Sequence, residues 1–193
     1  MTQARNIGSK FSDANSNTAY GSNTLKSNTT GAANTAIGNN ALLANTTGTL
    51  NTAVGAGALY SNTTGYSNVA VGEQALVFNT TGIQNVAVGR ASLYTNTIGT
   101  SNTGLGYYAL FANTTGYQNT AVGTFAMANN TISINNVALG YQALTANTTG
   151  SSNVAIGTVA ASTQTTATDN VAIGLSALQN NTASETTAGG SYA

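Results

Sequence analysis

The chain has 193 residues, of which only 4% are charged, and four Lys plus Arg balance four Asp plus Glu to a net charge of zero. Typical soluble domains carry about 25% charged residues, so the electrostatic footprint needed for nucleic acid or an anionic membrane surface is absent. The sequence contains no His and no Cys, which removes the usual general base, the commonest metal ligand and any disulfide framework.

In chain order, residues 1–16 precede any repeat. The opening MTQARNIGSKFSDANSNT holds no apolar core segment, which argues against a secretory signal of the usual kind. No run in the chain approaches the ~18 apolar residues of a membrane span, so no membrane insertion is expected. Arg5, Lys10 and Asp13, three of the eight charges, lie in this first segment. It reads as a cap on the first coil or as a connector to a neighbouring molecule.

From Asn17 to Thr186, ten blocks of 17 residues follow one another without a gap. Numbering each block 1 to 17, position 1 is Asn in all ten, position 5 is Gly in all ten and position 13 is Thr in all ten. Position 3 is Ala except for Gly104, and position 9 is Leu except for Met127 and Ala161. Residues 51–67 and 68–84 agree at ten of 17 positions. A fixed short period without insertions means that each block is one structural unit stacked on the next. The chain is 41% apolar with regular placement, which is not the signature of disorder. Seventeen residues are too few for a helix pair and enough for one coil of a solenoid. The predicted fold is therefore all-β, a single β-solenoid of ten coils over 17–186, with 187–193 as a C-terminal tail outside the register.

Within a block, positions 2 to 4 alternate with a period of two and carry β-branched residues, which predicts a strand. The glycine at position 5 predicts a turn. Positions 8 to 11 predict a second short strand. The Asn-Thr-Thr-Gly at 12 to 15 predicts a closing turn in which Gly supplies a positive φ. Leu at 9 and Val or Ile at 4 are expected to fill the interior, with Ala at 3 and 8 marking close packing. Stacked coils lie about 4.8 Å apart, so like residues form ladders. Asn34, Asn51, Asn68, Asn85, Asn102, Asn119, Asn136 and Asn153 are expected to bond their amides from coil to coil, buried inside the coil or beneath a partner chain. Asn at 1 and Ala at 3 also form a flat small-residue face suited to packing against another chain.

Position 10 reads Leu43, Tyr60, Val77, Tyr94 and Phe111 in successive coils. Facing outward, this column is an apolar stripe of the kind that marks an interface; facing inward, it is core. Position 16 adds Tyr66, Ile83, Tyr117 and Ile134. Position 6 stacks Glu73 beside Arg90, read as a surface ion pair. Blocks nine and ten drift: Gln164 stands for Asn, and Ala167 and Ser184 stand for Gly. Degenerate terminal repeats usually cap a solenoid.

Catalytic chemistry finds no constellation. Asp169 and Glu185 are the two carboxylates that adjacent coils bring near one another, a spacing that suits glycoside chemistry only if both flank a substrate; two solvated surface charges is the preferred reading. The glycines recur every 17 residues and never cluster into a phosphate loop. No catalytic residue, cofactor or metal is predicted, and the chain reads as a non-enzyme. The Asn-x-Thr triplets at Asn28, Asn45, Asn62, Asn79, Asn113, Asn129, Asn147 and Asn180 match a glycosylation pattern, but they follow from the closing turn.

The segments NTAVG, NVAVG and NVAIG resemble the head repeats of trimeric autotransporter adhesins, whose coils carry an Asn-Ser-Val-Ala-Ile-Gly type motif; similar repeats occur in fibre proteins of tailed phages. The resemblance covers the ten blocks. It implies a left-handed β-roll, association of three chains and a surface that sticks to host matrix or cells. The present coil is longer than that family's usual one, and membrane anchorage is not carried over. The expected function is a self-assembling fibre subunit, extracellular or on a virion surface, whose partner is itself. The alternatives are an adhesin or receptor-binding module with a host-surface ligand, and an ice-binding solenoid presenting the Thr column at position 13.

Overall fold

The computed structural model describes residues 15–193. It is a β-solenoid without helix among the described residues. Each coil contributes one three-residue strand, from β1 (Thr18–Tyr20) to β10 (Val171–Ile173), and these pair in sequence order as one parallel sheet. Each residue pairs with its equivalent one block on, as Ala36 does with Ala53 and Ala53 with Ala70. Parallel strands need a long return connection, and the remaining fourteen residues of each block are that connection.

The interior is narrow. Ala at positions 3 and 8 and Leu at position 9 form continuous columns, with Ala53, Ala58 and Leu59 all fully buried. A three-residue strand with period-two alternation points its middle residue one way and its flanks the other. The middle residue is the Ala, so it points inward. Val or Ile at position 4 therefore faces outward, against the expectation that it fills the core: Ile37 is 39% exposed and Ile173 47%. The β-branched residues stand here because they suit a strand, while the interior has room at this level only for a methyl group beneath leucine. For the same reason Asn at 1 and Ala at 3 do not form an external face; both are buried within their own coil.

The second predicted strand is also corrected. Positions 6 to 11 are turn throughout. Positions 7 and 9 have left-handed backbone, as at Gln74 (φ 58°) and Leu76 (φ 52°), and no extended strand accommodates them. The coil-to-coil bonds persist nonetheless: the Leu42 N–H donates to Ala58 O at 3.0 Å and the Ala44 N–H to Tyr60 O at 3.0 Å. A left-handed leucine costs about 1–2 kcal/mol, and it persists because its side chain fills the core column.

The two glycine columns serve different ends. At position 5, φ is positive (134° at Gly55) and a Cβ would lie 2.5 Å from the Gly72 carbonyl oxygen of the next coil. At position 15 the expectation of a positive φ fails, since Gly31, Gly48 and their equivalents are not in that region. Space favours glycine there, since a Cβ on Gly48 would sit 2.3 Å from Asn45 Oδ1 and 2.5 Å from Gly65 O, although Ser133 and Ala167 hold the same position buried in coils seven and nine.

The chain beyond Thr186 is not a tail outside the register. An eleventh strand, β11 (Thr187–Gly189), pairs with β10, Val171 facing Thr187. Block ten is one residue short, so Thr186 takes the place of an Asn and its N–H donates to Asn170 Oδ1 at 2.8 Å. Residues 187–193 continue as half a coil, with the Leu178 N–H donating to Ala193 O at 2.8 Å. The predicted cap at 1–16 lies almost wholly outside the described residues.

Candidate functional site

Three sets of side chains are organised by the stacking: an internal amide spine, an outward strand face and an aromatic ladder.

The spine is built from position 1. Asn34 Nδ2 donates to Asn17 Oδ1 at 3.1 Å and to Gly48 O at 2.8 Å, and the Asn34 N–H donates to the same Asn17 Oδ1 at 2.8 Å. The pattern repeats through Asn51, Asn68, Asn85, Asn102, Asn119, Asn136 and Asn153 to Asn170. Within the column each amide donates twice and each amide oxygen accepts twice, so a buried polar group is fully satisfied.

A second spine runs beside it and was read from the sequence only as turn chemistry. Position 12 forms its own ladder, Asn45 Nδ2 to Asn28 Oδ1 at 2.9 Å and onward to Asn147. Its amides also donate to the position-15 carbonyl, so Gly48 O accepts from both Asn34 and Asn45. The ladder stops where Gln164 replaces Asn: Asn147 Oδ1 and both polar side-chain atoms of Gln164 are buried without a partner. Ser133, standing for Gly in coil seven, bridges the spines by accepting from Asn136 Nδ2 at 2.9 Å and Asn147 Nδ2 at 3.1 Å. Of the Asn-x-Thr triplets, Asn45, Asn62, Asn79, Asn113 and Asn147 have no exposed surface. An amide held this way is closed to a glycosyl transfer in the folded rod.

Position 13 is likewise engaged. Thr46 Oγ1 donates to Thr63 O at 3.0 Å, and the same bond recurs along the column to Thr148.

On the outside, positions 2 and 4 of the strands form two adjacent columns of Thr or Val and of Val, Ile, Leu or Tyr, with no charged residue in either. Tyr20, Val88, Val137 and Leu139 are among the exposed members. Position 10 also lies on the outside. Leu43, Tyr94 and Phe111 are half-buried, Tyr60 is exposed and Val77 is covered. Phe111 stacks on Tyr94 (5.0 Å between ring centres) and on Tyr108 (4.4 Å), and Phe78 meets Tyr94 edge to face at 5.1 Å. Tyr107 and Phe125 extend the cluster. These last rings come from positions 6 and 7, and closure of the turn brings them to the position-10 column. Arg90 Nε contacts Glu73 Oε2 at 3.1 Å in the open, and the guanidinium lies 5.8 Å from the centre of the Tyr107 ring. The hydrogen bond and charge of Glu73 raise the Arg90 pKa above its ordinary value.

Asp169 and Glu185 end in equivalent places, each with φ 57° and each N–H bonded to the preceding coil, at Ser151 O and Thr168 O. Both are exposed. Among the described residues no group of three or more acidic side chains gathers as a metal site. Comparison with protein-family models, with curated proteins and with solved structures finds no match for this chain.

Proposed function

We propose that this chain is a non-enzymatic structural rod that assembles with copies of itself into a fibre, outside a cell or on a virion. The observation that carries the reading is the outward strand face. Ten coils at about 4.8 Å make a stripe about 48 Å long. Its columns contain only Thr, Val, Ile, Leu and Tyr. A contiguous uncharged and largely apolar face of that extent marks an interaction site. Its repeat is the same on every copy, so two rods meet in register without any specialised residue. The scarcity of charge supports the same reading, because little repulsion opposes association. Parallel stacking also leaves strand edges at a solenoid's ends, which favours end-to-end addition, and residues 1–16 then serve as the connector.

Light scattering and electron microscopy of the full chain test this. Filaments or discrete oligomers are expected, and replacing Val88 and Val122 together by Lys is expected to disperse lateral assemblies while circular dichroism stays unchanged. Deleting residues 1–16 separates end-to-end from lateral contacts. A monodisperse 19.2 kDa monomer at high concentration would rule the proposal out.

Ice binding is a second reading, and one observation moves it to a new place. The position-13 hydroxyls are spent on carbonyls of the next coil, whereas Thr18, Thr35, Thr52, Thr103 and Thr120 lie on the flat strand face. Thermal hysteresis of the purified rod distinguishes this from assembly alone.

A further inference from the structure

One feature of the outer surface is not required by stacking. Position 7 is left-handed in the other coils and is held there by residues with side chains, among them Asn40, Gln74, Tyr108 and Phe125. In coil three it is Gly57, at φ 68°. The backbone does not need glycine there, since its neighbours manage without it. Nor does packing: a Cβ added to Gly57 would meet only Gln74 Cγ, at 3.7 Å. What the glycine does is leave a gap in the side-chain ladder. With Ala56 beside it, coil three forms the floor of an open groove of about 380 Å³ between the larger side chains of coils two and four. That volume is in the lower range of small-ligand sites, about 300–1,000 Å³.

The groove has two kinds of lining residue. Tyr60 is 39% exposed and Phe78 46%, and Tyr60 stacks on no other ring among the described residues. The same groove is lined by the amides of Asn39 and Asn40 from coil two and of Gln74 from coil four, and by the carboxylate of Glu73. Asn40 spends its side-chain oxygen on Asn23 Nδ2 at 3.0 Å, leaving its NH2 group for a ligand. Glu73 is already paired with Arg90, so the groove carries no uncompensated charge and offers no counter-ion to an anion or a cation.

Aromatic rings, amides and a neutralised carboxylate lining one open groove match one ligand chemistry. A pyranose lays a C–H face on an aromatic ring and turns its hydroxyls, each a donor and an acceptor, to amide and carboxylate groups. We propose that this groove binds a neutral pyranose unit of a glycan. The open side of the groove leaves room for the rest of an oligosaccharide. The site lies on the turns and not on the strand face, so it is independent of the assembly reading.

The test uses the immobilised full-length chain and a panel of neutral and of sialylated or uronate-bearing oligosaccharides. Retention of at least one neutral glycan is expected. Gly57→Gln fills the gap with a side chain that the same position holds in coils four and eight, at Gln74 and Gln142, on the same left-handed backbone, so the rod folds. It is expected to weaken that binding about tenfold or more, a loss of about 1.4 kcal/mol. Tyr60→Ala is expected to do the same, whereas Gln142→Gly, in the same column away from the groove, leaves binding unchanged. Retention of acidic glycans alone, retention of none, or equal binding by wild type and Gly57→Gln overturns the proposal.

Discussion

The interior of the rod has two halves that respond differently to change. One half is the Ala and Leu columns at positions 3, 8 and 9; the other is the paired Asn spines at positions 1 and 12. The apolar half absorbs substitutions within this one chain. Met127 and Ala161 replace Leu and remain buried. In coils five and six, Ser92 replaces Ala at position 8 and Gly104 replaces Ala at position 3, and the two changes fit each other: Ser92 Oγ donates to Gly104 O at 2.9 Å, and a Cβ on Gly104 would lie 2.5 Å from that hydroxyl. The polar half does not absorb change in this way. One added methylene at Gln164 ends a ladder and leaves three buried polar atoms without partners. Hydrophobic contact is non-directional and scales with area, whereas an amide ladder needs donor and acceptor at fixed places, and a buried group left unpaired costs about 1–3 kcal/mol.

The contrast makes a graded set of predictions for thermal or denaturant unfolding. Asn102→Leu, in the middle of the spine, is expected to cost about 3 kcal/mol, because the buried Asn119 N–H loses its acceptor; an unchanged melting temperature would show that the spine does not hold the coils together. Gly99→Ala comes next, at about 2–3 kcal/mol, since its Cβ would press on Asn96 Oδ1 at 2.3 Å and on Gly116 O at 2.5 Å and force the two spines apart. Gly104→Ala is expected to cost about 2 kcal/mol. Adding Ser92→Ala restores the Ala–Ala arrangement of other coils, so the double-mutant cycle should show a coupling of about 1–2 kcal/mol; additivity would mean that the hydroxyl does not occupy the space. Gln164→Asn runs the other way and should raise stability by about 1–2 kcal/mol by giving Asn147 Oδ1 its donor. Leu110→Met, in the apolar half, is expected to change stability by less than about 1 kcal/mol.

The candidate surfaces were legible in part. Leu43, Tyr60, Val77, Tyr94 and Phe111 stand out as a column from spacing alone, since equal positions in equal coils must align. Their true neighbours did not. Tyr107, Tyr108 and Phe125 come from different block positions, and only the path of the closed turn brings their rings to the same place. The groove rests on Gly57, one of 22 glycines, and its distinction is visible only when the backbone of position 7 is seen to tolerate side chains in other coils. The second Asn spine was hidden because Asn-Thr-Thr-Gly has a sufficient local explanation as a turn, and its role in stacking involves a neighbour 17 residues away.

The repeat alone establishes the solenoid, its period, the place of the strand and the column of Asn at position 1, because a gapless repeat forces equivalent residues into ladders whatever the coil's cross-section. The tertiary structure alone decided which strand face is inside. Burial by hydrophobicity favours Val and Ile over Ala, but the coil is too narrow for them, and volume overruled transfer free energy. It also decided that the second segment is left-handed turn and not strand, that position-15 glycine is favoured by the space between two amide ladders, and that residues 187–193 continue the rod. Each of these depends on the distance from one coil to the next, a quantity that no single block of the sequence contains.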